Sequence, residues 1–254
     1  MVDRMDTSGA LTPPGLLSPA PSNVSGRSTH SNLPVPRTKP LKSGSVKEDA
    51  TRRWLENKLQ HIDRRYNRKL TPDVDGLPRG YLSMTEVSND LSEIVDVLWL
   101  SATPSLQIPY LLTVALGLNS YLPSFPAAPK ATFALLRKLD HAFTSLLNGQ
   151  DSIAGETLPG SDPGRTAGLS KTDMVRINGI AQSTRVAAVE AMSKGVEEEP
   201  QELSDSDAHS EVDDWSTEED VDENDMKVAT VYQDTITALG EILVTSTIQD
   251  VVMS

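Results

Sequence analysis

Between Ser83 and Gly149 the apolar residues return every three or four positions, and this run limits the fold more than any other feature of the chain. Val87, Leu91, Ile94, Val95 and Leu98 form one stripe, opposite Asp90, Glu93 and Asp96. Phe133, Leu136, Leu139, Phe143, Leu146 and Leu147 form another. That period belongs to an amphipathic helix; a half-buried strand would alternate. The stretch Leu106–Leu122 between them is apolar nearly all round and reads as a central buried helix. It is too short for a membrane span of about 20 residues, and Gln107, Pro109 and Asn119 interrupt it. Ser83-Met-Thr-Glu86 has the pattern of a capping box. Thr103-Pro104 supplies an N-cap and a first-turn proline, Pro123, Pro126 and Pro129 a stiff connection, and Asn148-Gly149 a stop. Helices over 84–102, 104–120 and 130–148 with connections this short predict a compact antiparallel unit.

Weaker elements flank it. Leu55, Leu59, Ile62, Tyr66 and Leu70 make a helical stripe over 48–70. After a Gly-, Pro- and Ser-rich loop at 149–168, Ser170-Lys-Thr-Asp173 is a second capping box. Met174, Ile177, Ala181, Thr184, Ala188 and Met192 then carry a helix to about Lys194, with Gly195 past its end. Val228, Val231, Tyr232, Thr235, Leu239, Ile242 and Leu243 place a last helix over 226–252, whose final turns have weak helix propensity because Thr245, Thr247, Ile248, Val251 and Val252 are β-branched. Residues 1–47 hold seven of the seventeen prolines and few large apolar groups, too little to offset the entropy of ordering. The expected fold class is all-α: a small antiparallel bundle over 48–195, a disordered tail at 1–47, an acidic disordered linker at 196–225 and a C-terminal helix.

The net charge of −13 is local in origin. Fifteen acids and no Lys or Arg lie between Glu197 and Asp225, leaving 21 acids against 23 bases elsewhere. Blocks of like charge this dense repel themselves and act as linkers or interaction tails. Ser204, Ser210, Ser216 and Thr217 each have an acid three residues on, the pattern of acidophilic kinase sites, and each phosphate would add roughly −1.5 to −2. Trp215 stands alone among these acids as the anchor of a short binding motif. The opposite sign is concentrated between Lys47 and Lys69, where Arg52, Arg53, Arg64, Arg65, Arg68 and Lys69 form a basic patch. The first reading of these bases is a solvated helix face or a nuclear import signal; the second is a phosphate-binding face on which Tyr66 could stack, a role that competes with its place on the apolar stripe.

Catalytic chemistry finds no support. The chain has no cysteine, which excludes disulfides, thiolate metal sites and cysteine nucleophiles. Gly155 and Gly160 have the spacing of a phosphate loop, but Ser161-Asp162 replace its Lys-Ser/Thr. His61 with Asp63, and Asp140 with His141, need partners from elsewhere to become a site; His30 and His209 lie in segments assigned to tail and linker. The expectation is no catalytic, cofactor or metal residues and no cofactor.

The block Pro104-Ser-Leu-Gln-Ile-Pro-Tyr-Leu-Leu through Tyr121-Leu-Pro-Ser-Phe-Pro126, with Ala131-Thr-Phe-Ala-Leu-Leu-Arg-Lys-Leu-Asp-His141, resembles a family of small acidic proteins from filamentous fungi, some of them labelled meiotic recombination proteins. The resemblance covers about residues 50–195 and implies a nuclear accessory factor in recombination or repair. A RecA-type recombinase is not implied, because the Walker A loop and parallel sheet it needs are missing. The expected function is therefore a non-enzymatic nuclear adaptor, with cytoplasmic residence the alternative. It would bind a protein partner through Leu239, Ile242 and Leu243 of the last helix and through Trp215. The alternative is a nucleic-acid-binding accessory protein using helix 52–69. A last helix this apolar needs either its own core or a partner's groove.

Overall fold

The computed structural model describes residues 32–71, 76–161, 166–193 and 226–252, with side chains as far as Ile242. Six helices account for most of it: α1 Val46–Asn67, α2 Met84–Ser101, α3 Pro104–Tyr121, α4 Pro129–Asn148, α5 Lys171–Met192 and α6 Gln233–Val252. Among the described residues there is no strand, only an isolated bridge between Gln150 and Thr157. The all-α expectation holds. Lys138 of α4 reaches Ser92 and Asp96 of α2, and one turn on His141 meets Trp99, so α2 and α4 run parallel. Helix α3 returns antiparallel against α2 on the side of α5, and Asn119 pairs with Ser183 and Thr184 of α5. The core gathers Leu91, Leu98, Leu106, Leu118, Leu139 and Leu146, none more than 1% exposed.

Local chemistry sets most of the boundaries. Ser83 Oγ accepts the Glu86 N–H, the first half of the expected capping box. The reciprocal half is missing, because the Glu86 carboxylate turns to Arg65 and Arg79 instead. Thr103 does not cap α3 either: its hydroxyl accepts the Leu41 N–H and donates to the Ser101 carbonyl. Ser170 and Asp173 do form the full reciprocal box at the start of α5. Gly149 ends α4 at φ 67°, the left-handed cap that glycine adopts without cost.

Three readings change. Leu70 is not on the buried stripe of α1; the helix ends at Asn67 and Leu70 is exposed at φ 59°. Helix α3 is not buried all round, since Pro109, Thr113 and Leu116 reach the surface. Residues 33–45, assigned by composition to the tail, lie against the body: Leu41 is buried and Arg37 N–H donates to the Leu100 carbonyl. The rest of the tail, residues 1–31, and the acidic segment, residues 194–225, lie outside the described residues. No described helix is long and apolar enough to cross a membrane.

Candidate protein-docking site

The structure divides the basic patch. Lys58 sits 2.8 Å from Asp90 and 2.6 Å from Glu93 of α2. Arg65 pairs with Asp90 at 2.8 Å and with Glu86, and its guanidinium lies 3.9 Å from the centre of the Tyr81 ring. Tyr81 donates to the same Asp90 carboxylate at 2.6 Å. Burial works to raise the Asp90 pKa, but the Lys58 ammonium, the Tyr81 hydroxyl and the Arg65 charge outweigh it and hold it below the usual carboxylate range. Burial beside this anion pushes the Tyr81 phenol well up. Arg65 is therefore a joint between α1 and α2. Arg52 pairs with Glu48 along its own helix, Arg53 and Arg64 are exposed, and Arg68 is half-buried with an Nε that finds no partner among the described residues. Lys69 lies 4.2 Å over the Tyr66 ring. Tyr66 itself packs on Tyr121 and Phe125 and bonds Ser124, so its ring is committed to packing.

Helix α6 folds back onto α4. Tyr232, Thr235, Ala238 and Leu239 are buried, and Ile242 packs at the edge of the core. Asp140 of α4 caps the first turn of α6, accepting from the Thr235 N–H at 2.8 Å and the Thr235 hydroxyl at 2.6 Å. Burial pushes the Asp140 pKa up, against the pull of those hydrogen bonds. Tyr232 takes φ 52° at the entry to α6, and its buried hydroxyl has no hydrogen-bond partner among the described residues. Leu239 thus lies in the chain's own core. The Leu243 side chain, Trp215, Ser204, Ser210, Ser216 and Thr217 fall outside the described residues.

The histidines do not converge. His141 Nε2 lies 2.9 Å from Asp151 and its ring packs on Trp99, tying the loop after α4 to α2; His61 is exposed on α1. Among the described residues no cluster of three or more His, Asp or Glu could hold a metal ion.

One surface was not anticipated. Helices α3 and α5 run side by side but leave a groove of about 810 Å³ open along one side. Its floor and walls are Ile108, Leu112 and Leu116 of α3 and Ile180 of α5, with Pro104 and Pro109 at one end and Ser183 at the other. Leu116 is 58% exposed. Pro109 has no N–H, so the Ser105 carbonyl one turn back on the same wall loses its helical donor. Gly179 leaves a notch, since a Cβ there would meet nothing within 4 Å. Arg176 and Asp173 stand at the rim. The Asp173 carboxylate is held low by its bonds from Ser170 and, to a lesser extent, by the nearby charge of Arg176. The sequence signal was the all-round apolar character of α3: a helix with half its residues buried needs no leucine at position 116.

With this geometry in hand, comparison with protein families matches residues 80–240, from just before α2 into α6, to TFB6, subunit 11 of the general transcription factor TFIIH. No curated protein and no solved structure is significantly similar. The match overturns the resemblance to the fungal meiotic recombination proteins, which rested on apolar helix sequence over much of the same body and on no functional residue.

Proposed function

The chain belongs to the TFB6 family, subunit 11 of the general transcription factor TFIIH, and from that premise we propose that it acts as a non-enzymatic accessory subunit of TFIIH in the nucleus. Its work is binding: the helical body presents surfaces to other subunits rather than to a small-molecule substrate. The observation that carries this reading is the extent of the family match, which takes in α2 to α5 and the docked part of α6, the packed body apart from α1 and the segment before it. The architecture supports it. The polar side chains that converge, Arg65 with Asp90 and Asp140 with Thr235, are spent on joining helices.

The test is reconstitution. Purified TFIIH lacking this subunit is mixed with the full chain and run by size exclusion at physiological salt. Co-elution at stoichiometric amounts is expected. A chain that elutes alone at micromolar concentrations sinks the reading. The acidic segment and its Ser204, Ser210, Ser216 and Thr217 enter as a modifier of that binding, to be compared with and without treatment by an acidophilic kinase.

A further inference from the structure

We propose that the segment before α1 and the first turns of that helix form a cationic surface that binds the phosphate backbone of duplex DNA without regard to sequence. This activity is additional to subunit docking: its residues lie between Arg37 and Arg53, ahead of the family-matched residues 80–240.

Between those two arginines the chain carries six bases and two acids, and all six bases are exposed. Glu48 is buried, accepting from the Gly44 N–H and pairing with Arg52, so it engages one base and adds no charge to the surface. Arg37, Lys39, Lys42, Lys47 and Arg53 remain, with no ion-pair partner within 4 Å among the described residues. Asp49 is the one exposed acid in that stretch. The backbone that carries these cations is fixed. The Arg37 N–H donates to the Leu100 carbonyl, the Leu41 N–H to Thr103 Oγ1, and Ser45 caps α1. Leu41 is buried and anchors the segment to the body. Its ordering cost is thus met before any ligand arrives. From Arg37 to Lys42 the segment spans at most about 18 Å, and from Lys47 to Arg53 α1 rises about 9 Å. That footprint is on the scale of one turn of duplex, about 34 Å.

The chemistry selects the occupant. Exposed lysine ammoniums act as point charges on phosphates, and each one that replaces a condensed counterion gains the entropy of its release. Exposed pairs with carboxylates lack that gain and are screened by salt. No aromatic residue occurs between Arg37 and Arg53, and Tyr66 is packed on Tyr121 and Phe125. A single strand, which is held largely by stacking, therefore finds less here than a duplex backbone does. The chain's own acids between Glu197 and Asp225 are the competing polyanion. Their segment is tethered at the other end of the body. Gly168 lies against Pro104 and Thr184 bonds Asn119, so α5 runs alongside α3 in the same direction and ends beyond Asn119. Arg185, near that end, holds the Ala229 carbonyl where the chain returns. The basic surface meets α3 at its start, by Thr103. Covering it would take the acidic segment about 23 Å along α3 and the same distance back.

The experiment measures binding of the full-length protein to a fluorescein-labelled DNA duplex of about 30 base pairs, by anisotropy, between about 50 and 200 mM salt. With four or five phosphates contacted, affinity is expected to fall by on the order of a hundredfold over that range. The triple variant Lys39→Ala, Lys42→Ala, Lys47→Ala is expected to bind about tenfold more weakly or worse at the low-salt end, with a shallower salt dependence. Lys171→Ala, which removes an exposed lysine of α5, is expected to leave binding unchanged. Thermal melting of each variant separates lost contact from lost folding. In parallel, acetic anhydride labels the lysines of the wild-type chain with and without duplex, and mass spectrometry is expected to show Lys39, Lys42 and Lys47 shielded and Lys171 labelled as before. Carbodiimide cross-links that join those three lysines to acids between 197 and 225 under saturating duplex would hand the surface to the chain's own acidic segment and overturn the proposal. Tighter binding to a single strand of the same length overturns it too, as does wild-type affinity in the triple variant, or no binding at low salt with protein at about 100 μM. Each of these results leaves the accessory-subunit reading standing, and the triple variant is expected to co-elute with TFIIH as the wild type does.

Discussion

At the scale of single residues, the joint between α1 and α2 is an acid held charged by its neighbours. Asp90 receives Lys58, Arg65 and Tyr81 on one carboxylate. Its pKa lies below the ordinary value of 3.8, so the folded state prefers the charged form. The stabilisation it contributes is present above pH 3.8 and is lost as pH falls through its folded pKa. Asp90→Asn is therefore expected to cost about 2 kcal/mol at pH 7 in urea denaturation, with the gap to wild type closing below that range. A gap that stays constant down to about pH 2.5 would show that the charge of Asp90 is irrelevant. Tyr232 makes the opposite case. Its hydroxyl is buried without a partner among the described residues, so Tyr232→Phe removes a desolvation cost and is expected to raise stability by about 1 kcal/mol. A lower melting temperature in that variant would reveal a hydrogen bond that the geometry does not contain. Neither residue was legible as such in the sequence. Asp90 reads as one of three solvated acids on α2, and the basic residues of α1 read as one patch. Which faces meet depends on the crossing of two helices, and that is not written in either helix alone.

At the scale of elements, the sequence was informative wherever a local rule decides. The starts and stops of α2, α4 and α5 follow from Ser83, Gly149 and Ser170, each acting on backbone groups within a few residues. The errors arise where a distant group competes. Glu86 leaves its capping role for Arg65, and Thr103 leaves its own for the Leu41 N–H. Gly80 shows how tightly the end of α1 meets the extended approach to α2: a Cβ there would come within 1.9 Å of the Arg68 carbonyl oxygen. Gly80→Ala is expected to destabilise by about 1–3 kcal/mol as the overpacked backbone shifts. Hydrogen exchange locates the damage: the amides of Leu70 and Tyr81, which bond across this contact, should lose protection first. Wild-type protection there would mean that the approach is looser than the structure shows. The groove between α3 and α5 was hidden for a related reason. An all-round apolar helix reads as buried, and only the neighbours reveal which of its sides is left open.

At the scale of the whole molecule, α6 is attached twice: covalently through residues 194–225, and by packing against α4 and α5. Packing alone rests on Val228, Val231, Tyr232, Ala238 and Leu239, with Asp140 capping the helix and Arg185 holding the Ala229 carbonyl at 3.0 Å. Burying five such side chains contributes on the order of 10 kcal/mol before the cost of association, which is itself several kcal/mol or more. The remainder supports micromolar affinity at best. A linker of this length supplies an effective concentration near millimolar, enough to keep α6 docked in the intact chain. Cutting the chain at a protease site placed between Glu197 and Asp225 is thus expected to leave the two pieces co-eluting at tens of micromolar, and to release α6 on dilution to about 10 nM. The intact chain should keep α6 protected from exchange at both concentrations. Leu239→Ala should abolish association of the cut pieces even at the higher concentration, because it removes the most deeply buried aliphatic anchor on the described part of α6. Pieces that stay together after the dilution would show that packing alone holds α6. Pieces that never associate would show that α6 depends on its tether, and that the acidic segment sets how readily the helix leaves the body.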